Sequence, residues 1–86
     1  MNYSELSTEE QQEAKVYMKV IVYFMRNGGM QDRDCYRRCI YVSRQLLPYS
    51  PGSRRTRVLE YIKSFMDEET PLEEKIVRLQ RQLEEN

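Results

Sequence analysis

The side chains whose type and spacing could do chemistry are two cysteines, Cys35 and Cys39, and a run of arginines between positions 33 and 57. Thiolates bind soft metals and form disulfides, and two cysteines four apart on a helix point the same way. A closed zinc site needs four ligands, however, and the chain has no further cysteine and no histidine to supply them. The pair therefore reads as buried, reduced thiols acting as small apolar residues, with a metal or disulfide shared between two copies as the rival reading. No cofactor and no metal is expected.

The lack of histidine also removes the usual general base and nucleophile activator. The carboxylate runs Asp67-Glu-Glu69 and Glu84-Glu85 fall on polar stretches at helix ends, where solvated charge is the ordinary outcome. Gly28-Gly29 lacks the spacing of a phosphate-cradling loop. The sequence thus points away from an enzyme and offers no small-molecule site.

The arginines carry more weight. Arg33, Arg37 and Arg44, with Tyr41 among them, share one polar arc of a helix, and Arg54, Arg55 and Arg57 open the next helix. A helix N-terminus penalises positive charge, so three arginines there carry a cost that invites an explanation. The net charge of zero divides unevenly along the chain: residues 1–29 carry three basic and four acidic groups, residues 30–66 eight and three, and residues 67–86 three and seven. The basic middle could face nucleic-acid phosphates, an acidic protein, or the chain's own acidic tail. A helix, turn and helix with polar and guanidinium groups opening the second helix is how a DNA-reading helix begins. Against this, the connection Pro48-Tyr-Ser-Pro-Gly-Ser53 is longer than the tight turn of that motif.

These residues must be held by helices. Eighty-six residues make one domain, near the size at which a single core can just sustain a fold. Few glycines and prolines and many Glu, Gln, Arg and Lys favour an all-α fold. Ser7-Thr-Glu-Glu10 has the form of a capping box, and Asn27-Gly-Gly29 supplies a helix stop, which predicts a first helix over residues 8–26. A strand rivals it, because Val16, Val20, Ile21, Val22, Tyr23 and Phe24 all favour sheet, but no second strand exists to pair with it. The second helix is predicted over residues 31–47, ending at Pro48. The third spans residues 53–66, with Val58, Leu59, Ile62, Phe65 and Met66 on its apolar face. The fourth covers residues 71–85, opened by Thr70 as cap, Pro71 and Glu73, with Leu72, Ile76, Leu79 and Leu83 as its stripe. The expected architecture is a compact bundle of four helices.

Cys35-Tyr-Arg37 followed by Phe65 resembles the motif of the Leu-Tyr-Arg proteins of mitochondria, and residues 74–85 resemble the last helix of KIX-type activator-binding domains. The first departs by its missing leucine, a long preceding helix and a third helix cut by Thr70-Pro71, and the second is common to amphipathic Glu/Lys/Leu helices. No residue's role is carried over from either.

The first helix is apolar on two faces: Ala14, Tyr17, Met18, Ile21, Phe24 and Met25 on one, Val16, Val20 and Tyr23 on another. Since the other helices need one face each, Val16, Val20 and Tyr23 are expected to bind a second copy of the chain or another protein. The expected function is a non-enzymatic protein-interaction or regulatory module, a homodimer in its simplest form. The second reading is a small DNA- or RNA-binding regulator using Arg33, Arg37, Tyr41, Arg44, Arg54, Arg55 and Arg57. The polar, acidic start and an apolar run broken by Lys19 predict a cytoplasmic protein with no membrane span.

Overall fold

The N-terminal cap forms as its residue types dictate. Ser7 Oγ accepts the Glu10 backbone N–H at 3.2 Å, and the Ser7 N–H donates to Glu10 Oε1 at 2.8 Å, so two otherwise orphaned amides are satisfied reciprocally. From this box α1 runs over Thr8–Gly28, followed by α2 over Asp32–Leu46, α3 over Gly52–Lys63 and α4 over Leu72–Glu85. The computed structural model describes residues 2–28, 32–64 and 69–85, with residues 32 and 33 described as helical backbone. Among the described residues every regular element is helical, so the fold is the expected all-α four-helix bundle. The predicted third-helix residues Phe65 and Met66 lie outside the described residues.

The breaks follow the local chemistry. Pro48 cannot continue α2, and the Ser50 N–H donates back to the Leu47 carbonyl at 3.2 Å to close the turn. Pro51 then caps α3 in an extended conformation, its carbonyl taking the Arg55 N–H at 2.9 Å. At the start of α4 the Pro71 carbonyl accepts the Lys75 N–H at 3.1 Å.

The bundle is organised around α1, against which α2, α3 and α4 each pack. Such a helix must be apolar on more than one side. Ala14, Met18 and Ile21 are fully enclosed, and Val20, Val22 and Phe24 are half-buried against the same core. Cys35, Cys39, Val58, Ile62 and Leu79 reach that core from the three surrounding helices. The radius of gyration, 12.0 Å, matches the roughly 12 Å of a folded domain of this length.

A short 3-10 turn at Tyr3–Glu5 precedes α1 and delivers Leu6 into the core at 4% exposure. Gln11 Nε2 donates to the Tyr3 carbonyl at 3.1 Å, and the Tyr3 ring packs on Tyr61 at 5.9 Å. The sequence reading missed this latch. Its signal was Leu6 itself, an apolar residue directly before the capping box, where a hydrophobic staple sits.

A candidate docking face and a tied arginine cluster

The arginines that open α3 are occupied by the chain's own groups. Arg54 Nη1 lies 3.3 Å from Glu13 Oε1, and Arg57 Nε lies 3.1 Å from Glu10 Oε2. Arg57 Nη2 also donates to the Glu5 carbonyl at 3.0 Å, and Arg55 Nη2 donates to the Leu47 carbonyl at 3.0 Å. Ser50 Oγ adds a 2.9 Å bond to Glu13 Oε2. The helix dipole that these arginines oppose is thereby offset by two nearly buried carboxylates on the first turns of α1. The counter-charge comes from α1 and not from the acidic tail, one of the sources open from the sequence; α4 packs on α1 through the fully buried Leu79, a residue of its predicted stripe.

Electrostatics follow from that arrangement. The bond from the Ser7 amide, reinforced by Arg57, holds the Glu10 carboxyl below its ordinary range, against a smaller opposing effect of burial. Deeper in, burial pushes the Tyr17 hydroxyl up, partly offset by its hydrogen bond to Ser43 and by the nearby Arg55 guanidinium. Arg55 Nε is buried there without a hydrogen-bond partner.

The cysteines sit where the helical spacing puts them, fully buried and unbridged. Cys35 Sγ lies 3.5 Å from the Ile21 carbonyl and Cys39 Sγ lies 3.6 Å from the Tyr17 carbonyl, both on α1. Ser43 Oγ donates to the Cys39 carbonyl one turn back. Cys35, Cys39 and Ser43 thus form a ridge of small side chains that brings α2 close to the α1 backbone. Burial pushes the Cys39 thiol up to about 12, which makes the thiolate, the reactive and metal-binding form, scarce at neutral pH. Among the described residues no cluster of three His, Cys, Asp or Glu is placed to hold a metal ion.

The other predicted arginines point elsewhere. Arg37 and Arg44 on α2 are exposed, Tyr41 between them is 68% exposed, and the Arg33 side chain lies outside the described residues. Asp34, Arg37, Arg38 and Tyr41 line an open recess of about 540 Å³. The Arg38 guanidinium stands 6.0 Å over the Phe24 ring of α1, so this recess meets the seam between the two helices. The structure therefore separates what the sequence reading had grouped, a tied trio on α3 and a solvent-facing set on α2.

Along the same seam, Lys19, Val20, Tyr23 and Phe24 of α1 and Val42 of α2 line a groove of about 280 Å³. Of the three residues expected on the second face of α1, Val16 is half-buried, Val20 is half-buried and packed on the core, and Tyr23 is 60% exposed with its ring edge-on to Phe24 at 5.4 Å. The neighbouring helices thus take up part of that face. The 4-3-4 spacing of Cys35, Cys39, Val42 and Leu46 predicts one core-facing stripe on α2; the structure buries the two cysteines but turns Val42 to this groove, because how α1 and α2 pair decides which part of the stripe is covered. Leu46, one turn beyond Val42, is 58% exposed and extends the apolar strip on α2.

No protein-family model, curated protein or solved structure matches the chain. No helix among the described residues is long and apolar enough to cross a membrane.

Proposed function

We propose that the chain is a non-enzymatic helical interaction module that receives a protein partner on the face where α1 and α2 meet. The observation that carries this reading is the groove of Lys19, Val20, Tyr23, Phe24 and Val42, an apolar concavity open to solvent after α2, α3 and α4 have all packed on α1. Covering a Val, Leu or aromatic side chain is worth on the order of 1.5–3 kcal/mol. A strip containing Tyr23, Val42 and Leu46 therefore offers a partner a useful fraction of a typical binding energy, with Tyr23 the residue type that most often anchors interfaces.

A nucleic-acid role is the second reading, and it now rests on Arg37, Tyr41 and Arg44. Arg54, Arg55 and Arg57 are held by Glu13, Leu47 and Glu10, and freeing them would expose carboxylates beside any bound phosphate.

The test is a pull-down from cells of the chain's own source, comparing the unaltered chain with a Tyr23→Asp variant by mass spectrometry. Tyr23 is exposed, so its replacement leaves the core in place, which circular dichroism checks. Partners retained by the unaltered chain and lost by the variant are the expected result. Identical partner lists for both would remove the groove from the account.

A further inference from the structure

The groove is apolar at its floor and cationic at its rim. Lys19 lines it, Arg38 stands over Phe24 at its edge, and Arg37 lies in the adjoining recess with Arg38 and Tyr41. Among the described residues lining the two concavities, Asp34 is the one carboxylate. Among the described residues, Lys19, Arg37 and Arg38 have no salt-bridge partner, in contrast to Arg54 and Arg57. Cations left unpaired around an apolar strip set the sign of what can cover it, because a like charge brought against them repels and an opposite charge is drawn in.

That sign weighs against a second copy as the occupant. A closed two-fold dimer sets a patch against the same patch of the other copy, so the cations Lys19, Arg37 and Arg38 would be gathered with three more of the same sign at one interface. A helix fits the length of such a face. The molecule measures 31 × 25 × 20 Å, and a helix of about sixteen residues, roughly 24 Å long, spans such a face. Apolar side chains at helical spacing fill a groove between two helices, while carboxylates on the flanks reach its rim.

Resting on the docking reading above, we propose that the groove takes an acidic amphipathic helix of another protein. Its apolar side chains lie on Val20, Tyr23 and Val42, and its carboxylates face Lys19, Arg37 and Arg38.

The test is to pan a displayed library of random peptides of about sixteen residues against the full chain, then to measure the enriched peptides on three proteins by fluorescence anisotropy. These are the unaltered chain, Tyr23→Glu, and the double variant Arg37→Glu with Arg38→Glu, each checked for helicity. The expected result is enrichment of net-negative sequences with apolar residues at helical spacing. Their affinity should fall about tenfold or more on either variant and weaken as salt rises from about 0.05 to about 0.5 M. Neutral or basic peptides that still lose affinity on Tyr23→Glu would overturn the acidic occupant and leave the docking face standing. A dimer by light scattering that Tyr23→Glu dissociates, with no peptide enriched, would assign the groove to a second copy and overturn the proposal. Single-stranded or duplex oligonucleotides that bind this face where acidic peptides do not would overturn it in favour of nucleic acid. Peptides indifferent to Tyr23→Glu, or no enrichment with a monomeric chain, would overturn both the occupant and the docking face.

Discussion

Arg54 and Arg57 show how a charge that is unfavourable locally becomes favourable in the fold. Each opposes the dipole of α3, and each meets a carboxylate of α1 at hydrogen-bonding distance. The Arg54 side chain is 34% exposed while that of Glu13 is 9% exposed, so the carboxylate has more to lose. Replacing Arg54 by Ala leaves Glu13 with the Ser50 hydroxyl but without its counter-charge, and the expected cost is about 1–2 kcal/mol in a urea denaturation. The double variant with Glu13→Gln should recover part of that loss. Additive effects would mean that the two do not act as a pair. Acid tests the neighbouring pair. Glu10 is depressed below the ordinary value of 4.5, so between its folded and unfolded values the unfolded chain binds more protons. Its contribution is complete above about pH 4.5 and disappears as the pH falls through the lower folded value. In Glu10→Gln the decline of stability in acid should be shallower than in the unaltered chain; an unchanged acid profile would contradict the assignment.

At the scale of elements, packing is set by which side chains are small. Cys35, Cys39 and Ser43 lie in one row on α2, and the two thiols touch α1 backbone carbonyls. A larger side chain has nowhere to go, so Cys39→Leu is expected to destabilise by about 1–3 kcal/mol, whereas Cys39→Ala should be tolerated better. Thermal denaturation distinguishes them, and a Leu variant as stable as the unaltered chain would show that the helices can separate freely. Element boundaries were legible because their signals are local: the Ser7 to Glu10 box, Pro48, Pro51 and Pro71 each act within a few residues. The apolar stripes of α3 and α4 were legible for the same reason, through Val58, Ile62 and Leu79, whereas that of α2 holds only at Cys35 and Cys39, since Val42 and Leu46 at the same spacing face the groove and solvent. The pairing of Arg57 with Glu10, 47 residues apart, was not legible, because nothing in either segment specifies which acidic cluster the arginines meet. Leu6 was overlooked because a single apolar residue in a polar leader has no periodicity to announce it.

At the scale of the molecule, α1 explains the most. Its two apolar arcs were read as one arc for the fold and one for a partner. Periodicity reports that a face is covered but not by what. Three helices of the same chain gather on α1, so Val20 and Phe24 pack partly on the core while Tyr23 stays open. What is left over lies at the α1 and α2 seam, where Val42 and Leu46 join it. The arginines divide in the same way, with those of α3 holding the bundle together and those of α2 facing solvent beside the groove.

That division is tested most directly by titrating an acidic amphipathic helical peptide into the isotope-labelled chain and mapping the amide and methyl shifts by NMR. The account predicts saturable shifts at Lys19, Val20, Tyr23, Phe24, Arg38 and Val42, with Arg54 and Arg57 unmoved. Shifts centred on Arg54 and Arg57, with the groove silent, would contradict it.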